Sequence, residues 1–174
     1  GCKALRMKSA LTSCTSIGDY AFRDCYSLGE VSLSQELKHL GKGAFASCIG
    51  LTSVISLGGE RRADGECAIP EGTFFDCFSL SNVHIGGDVT VVERYAFKKC
   101  SEGVGTDGVG KLTVFFAPGV KEIGRQSMFP LLFNLSYIPD TVKKMEKIAA
   151  TGYSVVFYGG SEDDFKKLTA GWKE

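Results

Sequence analysis

Apolar residues recur along this chain in a fixed pattern. Between Ile17 and Leu40 the anchors are Ile17, Ala21, Phe22, Cys25, Leu28, Val31, Leu33, Leu37 and Leu40, set among polar residues and glycine. Leu40 opens the next copy, in which Ala44, Phe45, Cys48, Leu51 and Val54 each stand 23 positions after their counterparts. The cysteines alone fix the period. Cys2, Cys25 and Cys48 are 23 apart, Cys48 and Cys77 are 29 apart, which is the period plus a 6-residue insertion, and Cys77 and Cys100 are again 23 apart. A constant period in this range signals a solenoid of stacked coils.

Three segments are predicted within each unit. The L-x-x-V-x-L stretch (Leu28, Val31, Leu33; Leu80, Val83, Ile85) alternates at period 2 and reads as a short strand. Stacked copies would form a parallel sheet with an inward row of Val31, Val54, Val83 and, past an insertion, Leu112. A second extended edge is expected at Leu37–Leu40, Val89–Val92 and Val120–Ile123, where the anchors stand three apart. The A-F-x-x-C stretch puts Phe22 and Cys25 at i and i+3, the spacing of one helical turn. Phe22, Phe45, Phe74 and Phe97 should then stack in one buried column, beside a ladder of reduced thiols at Cys25, Cys48, Cys77 and Cys100.

The units read I-G-D-Y-A-F-R-D-C-Y-S-L-G-E-V-S-L at 17–33, L-G-K-G-A-F-A-S-C-I-G-L-T-S-V at 40–54, I-P-E-G-T-F-F-D-C-F-S-L-S-N-V-H-I at 69–85 and V-E-R-Y-A-F-K-K-C at 92–100. Four such copies in register resemble the BspA-like (Treponema-type) leucine-rich repeat family. The resemblance implies a leucine-rich-repeat solenoid of right-handed coils of about 23 residues. It also implies a parallel sheet on the concave face, a location at the cell surface or in secreted proteins, and a role in adhesion. It does not identify a ligand.

One array is expected over 1–174, with a truncated partial repeat at 1–16 and repeats over 17–153 that degenerate after 117. Met128 stands where a phenylalanine is due and Leu131 where a cysteine is due. The segment 154–174 is expected to be a C-terminal cap: a strand ending at Gly159-Gly160, then a helix with Ser161 and Asp164 at its start and Phe165, Leu168 and Trp172 on one stripe. The start carries no cap, so end-to-end self-association through the exposed N-terminal end is one expectation. Two glycine-rich insertions, Gly58–Cys67 and Ser101–Gly110, are expected to be surface loops.

Composition narrows the function classes. Twenty basic and 20 acidic residues balance, so the chain lacks the charge of a nucleic-acid or anionic-membrane binder. No run approaches the ~20 apolar residues of a membrane helix, and the opening G-C-K-A-L-R-M-K lacks the apolar core of a secretory leader. Seven cysteines are too few for a disulfide scaffold; Cys14 and Cys67 lie off the repeat and are the candidates for a bridge.

The chemistry-bearing residues are sparse. There are two histidines, His39 and His84, and neither C-x-x-C nor H-x-x-x-H occurs, which argues against a closed zinc site. The run Gly103–Gly110 lacks the G-K-[ST] ending of a phosphate loop. Glu162, Asp163 and Asp164 are explained by the first turn of a helix. No catalytic residue, metal site or cofactor is therefore expected. The expected ligand-binding surface is the outward strip of the sheet: Glu30, Ser32, Ser34, Ser53, Ile55, Asn82, His84, Lys111, Thr113 and Phe115. Its mixture of polar and apolar groups suits a protein or a glycan. A structural spacer and a carbohydrate-active enzyme on a solenoid are the competing readings, and no two carboxylates repeat along the strip to support the last.

Overall fold

The computed structural model describes residues 11, 13–34, 36–100, 112–127, 135–146 and 155–170. The expectations for Cys2, Lys111, Met128, Leu131 and Trp172, and for the insertion at 101–110, lie outside these residues. Thirteen short strands and one helix are described: β1 (Ser16–Ile17), β2 (Glu30–Ser32), β3 (His39–Leu40), β4 (Ser53–Leu57), β5 (Glu60–Arg61), β6 (Cys67–Ile69), β7 (Asn82–Ile85), β8 (Val91–Val92), β9 (Thr113–Phe115), β10 (Glu122–Ile123), β11 (Leu135–Ile138), β12 (Lys144–Met145), β13 (Val155–Tyr158) and α1 (Glu162–Thr169).

Successive coils stack in parallel register. One six-stranded sheet runs β2-β4-β7-β9-β11-β13. Glu30 pairs with Ser53, Ser53 with Asn82, and Asn82 with Thr113, so each strand lies over the same part of the neighbouring coil. A second edge of two- and three-residue strands runs β6-β8-β10-β12, with β1 and β3 paired separately. Its anchors are Leu37 and Leu40, Val89 and Val92, Val120 and Ile123, and Val142 and Met145, all buried three residues apart. The core fills the space between the sheets and the turn column, and Phe45, Phe74 and Phe97 are its largest fully buried side chains.

The inward row of the main sheet is Val31, Val54, Val83 and Val114. Leu112, expected in that row, is buried one pleat earlier, before β9 begins. The shift follows from the longer spacing before this coil, which moves the register by two residues and so keeps the same face inward.

The A-F-x-x-C segment is a run of β-turns and not the helical turn its spacing predicts. Ala21 N–H donates to Gly18 O, Arg23 N–H to Tyr20 O and Cys25 N–H to Phe22 O. The alternate N–H groups leave the coil: Tyr20, Phe22 and Asp24 donate to Lys42, Ala44 and Ala46 of the next one. This alternation needs left-handed backbone at two places per coil. Tyr20, Gly43, Gly72 and Tyr95 hold the first, at φ of 54, 56, 63 and 61°, and Asp24, Ser47, Asp76 and Lys99 hold the second, at 59–60°. Turn and helix share the i, i+3 spacing, so the side chains land as expected.

The phenylalanines form the predicted column, with ring centroids 5.1, 5.4 and 5.4 Å apart and rings within 6° of parallel. Phe22, at its open end, is only half-buried. Three thiols of the ladder point to the preceding coil. Cys48 Sγ lies 3.0 Å from Phe22 O, Cys77 Sγ 3.2 Å from Phe45 O and Cys100 Sγ 3.1 Å from Phe74 O. Cys14 and Cys67 are free thiols as well.

The insertion after β4 is not a surface loop. Gly58 and Gly59 are buried, and β5 pairs antiparallel with β6, Glu60 opposite Ala68 and Arg61 opposite Cys67. On its other side β5 meets β3: Arg61 N–H donates to Lys38 O at 3.1 Å, and Leu40 N–H donates to Glu60 Oε2 at 2.7 Å. The insertion is a strand wedged between two coils, with only 62–66 left as a turn.

At the other end, α1 begins at Ser161, whose Oγ accepts from Asp164 N–H at 3.2 Å. Phe165 and Leu168 are half-buried against the core, and the Phe165 ring meets Tyr158 at 5.5 Å.

Candidate functional site

The outward positions of the six-stranded sheet separate into two rows. Period-2 alternation over an inward Val places one residue before it and one after it on the outer face. The residues before it are Glu30, Ser53, Asn82 and Thr113, a polar row in direct register. Those after it are Ser32, Ile55, His84 and Phe115. Ile55 is 41% exposed and Phe115 45%. His84 is exposed in the same row, and its ring stacks on Phe115 with centroids 4.5 Å apart and planes 18° from parallel.

Sequence reasoning missed one member of this row. Tyr137 on β11 pairs with Phe115 and is 48% exposed. Beyond residue 117 the spacing drifts, so no fixed offset marks Tyr137. The signal that could have found it is the alternation L-S-Y-I at 135–138. Ser34 leaves the strip. It follows the end of β2, is 6% exposed, and its Oγ accepts from Glu36 N–H at 3.0 Å in a local turn. A serine two residues past a three-residue strand caps the turn and does not continue the pleat.

The second edge carries charge. A cavity of about 520 Å³ gathers Glu66, Glu71, Glu93, Glu122 and Glu146 with four cations. Clustered carboxylates are what an enzyme reading would want, but each of these is engaged. Arg62 bonds both Glu66 and Glu93, and Glu93 also accepts the Glu71 N–H at 2.7 Å. Arg94 pairs with Glu71 at 2.9 Å, and Lys144 pairs with Glu122 at 2.6 Å and Glu146 at 3.9 Å. Hydrogen bonding to Glu71 holds the Arg94 guanidinium above its ordinary range. Arg62–Glu93, Arg94–Glu71 and Lys144–Glu122 link neighbouring coils, and this edge is a ladder of ion pairs. Among the described residues, no group of three or more His, Cys, Asp or Glu is placed to hold a metal. No helix among them is long and apolar enough to cross a membrane.

Comparison with known proteins agrees with this architecture. The profile of the BspA type leucine rich repeat region (6 copies) matches residues 1–102. The fold is similar to that of a leucine rich cell surface protein from Faecalibacterium prausnitzii A2-165, at 19% identity and a TM-score of 0.52 over 92% of this chain. The chain spans 34% of that protein's length. A leucine-rich repeat protein from Bacteroides ovatus ATCC 8483 aligns at 15% identity and a TM-score of 0.44, over 97% of this chain and 60% of the other. No curated protein matches the chain. Coils stacked in parallel register, the phenylalanine and cysteine columns and the profile match over more than half the sequence agree: the chain belongs to the BspA-type leucine-rich repeat family.

Proposed function

We propose that this chain is a non-catalytic interaction module that recognises a protein partner through the outer face of its six-stranded sheet, in a protein displayed at the cell surface. The row Ile55, His84, Phe115 and Tyr137 carries this reading, because it holds exposed apolar and aromatic side chains on four consecutive strands whose spacing the array fixes. The polar row Ser53, Asn82 and Thr113 beside it supplies hydrogen-bonding groups without charge. An apolar centre with a polar margin is the composition of a protein interface. A glycan fits this face less well. Sugars pack on the open faces of aromatic rings, and the stacked His84 and Phe115 rings each cover one face of the other. The cell-surface assignment is supported by the description of the similar protein from F. prausnitzii.

A binding screen against matrix proteins and glycans identifies the partner. The double substitution His84→Ala with Phe115→Ala is then expected to weaken that partner by about 2 kcal/mol or more, as truncation of a central aromatic anchor does. The melting temperature should hold, since both side chains are exposed. Affinity that survives this change but is abolished by substitutions in the 62–66 turn would move the function from the sheet to the insertion.

A further inference from the structure

The turn column carries a cleft on a different face from the sheet, and the repeat pattern explains why it is there. The first left-handed position of successive turns is Tyr20, Gly43, Gly72, Tyr95 and Gln126. Two consecutive coils therefore lack the side chain that the coils on either side of them present. The Tyr20 ring fills part of this gap by lying across Gly43, where a Cβ would stand 2.4 Å from its Cε1. Above Gly72 the space stays open, and a Cβ there would meet only Phe75 Cβ, at 3.8 Å. The result is a cleft of about 390 Å³ with Tyr20, Phe75 and Tyr95 among its walls and glycine in its floor.

Four charged residues line this cleft; Arg23 pairs with Asp24 and Glu71 with Arg94, which leaves Asp76 and Lys42 to meet a ligand. Asp76 keeps its Oδ1 buried, without a hydrogen bond and 3.7 Å from Lys99 Nζ, while its side chain is 24% exposed, so the part of the carboxylate that a ligand meets is the other oxygen. Lys42 lines the cleft and makes no ion pair among the described residues. A partly exposed carboxylate, an ammonium with no ion pair among the described residues and aromatic walls select a ligand that offers all three complements at once. A flat apolar molecule would leave both charges dry and unpaired, which is costly. A simple anion would face Asp76, and a simple cation would face Lys42.

We propose that this cleft binds one hydroxylated sugar ring of a glycan, with a hydroxyl donating to the Asp76 carboxylate, Lys42 donating to a ring substituent and C–H groups of the sugar packing on the aromatic walls. This site is independent of the sheet face, and either can fail without the other.

Saturation-transfer NMR with galactose, N-acetylglucosamine, glucuronic acid and N-acetylneuraminic acid tests the proposal, and the panel separates neutral from acidic sugars. At least one is expected to receive saturation at millimolar concentration. Gly72→Tyr should abolish it. That substitution closes the cleft with a residue that the same backbone position already carries in two other coils, at the same sign of φ. Asp76→Asn, which keeps the shape and accepts the left-handed backbone, should weaken the bound sugar about tenfold, the order of one charged hydrogen bond. Melting temperatures of both variants report whether the array is intact, and Asp76→Asn carries the test if Gly72→Tyr does not fold. No transfer to any of the four sugars overturns the proposal, as does binding that persists unchanged in a folded Gly72→Tyr or Asp76→Asn variant.

Discussion

Cys48 shows how much one position of the repeat contributes. Its Sγ reaches the Phe22 carbonyl of the coil before, so the residue fills core volume and also satisfies a backbone acceptor. Burial pushes its thiol from an ordinary 9.0 up to about 12, and burial likewise raises Cys77 well above 9.0. A folded thiol that holds its proton longer than the unfolded one contributes stability that is whole below pH 9 and is lost as pH climbs toward 12. The denaturation midpoint should therefore fall across that window, and Cys48→Ala should flatten the fall. Thiol titration should find Cys48 and Cys77 silent in the native protein and reactive in denaturant. The neighbouring phenylalanine bears the larger packing share. Phe45 is fully buried between two parallel rings, so Phe45→Ala should cost about 3–5 kcal/mol in chemical denaturation. A loss nearer 1 kcal/mol would mean the column is not the core.

Among the elements, β5 shows where local sequence stops being informative. The stretch G-G-E-R-R-A-D-G-E-C is polar and glycine-rich, and on those grounds it reads as a loop. Its strand is two residues long and exists because β3 and β6 offer unpaired edges on either side. Glu60 makes the junction, accepting the Leu40 N–H at 2.7 Å and pairing with His39 Nδ1 at 2.8 Å. Glu60→Ala should cost about 1–3 kcal/mol, the range for stranding a part-buried donor. Amide exchange at Leu40 should accelerate in the same variant, and Glu60→Gln, which keeps an acceptor, should restore most of the protection. Unchanged exchange in Glu60→Ala would mean that β5 leans on β3 without holding it. The turn segment departs from its spacing for a related reason. Phe22 and Cys25 satisfy helix spacing, while the N–H groups that decide between helix and turn bond to another coil. A sequence read one unit at a time does not contain that partner.

At the scale of the molecule the array was legible because its code is redundant. Phenylalanine, cysteine and the alternating strand each mark the same period, so the parallel stacking, the buried columns and most of the outward strip follow from spacing alone. The longer spacing before β9 hides the register of Val114, and the drift after 117 hides the place of Tyr137 in the strip. The cleft over Gly72 was hidden differently: the two glycines are plain in the sequence, but their meaning needs the left-handed backbone that they share with Tyr20 and Tyr95.

The wedge also bears on how the array carries load. Pulling its ends apart strains the bonds between coils in series, so the seam with the fewest direct links yields first. At most seams the second edge is zipped by strand pairs such as Ala68–Val91 and Ile69–Val92. Between β3 and β6 that zip is replaced by an intervening strand, which meets β3 through the Arg61 N–H bond to Lys38 O, the Leu40 N–H bond to Glu60 and the His39–Glu60 pair. The other two faces of that seam keep their direct links, β4 to β7 and the Gly43, Phe45 and Ser47 N–H groups to Glu71, Thr73 and Phe75 O, so the wedge shifts load from the second edge onto the sheet and the turn column.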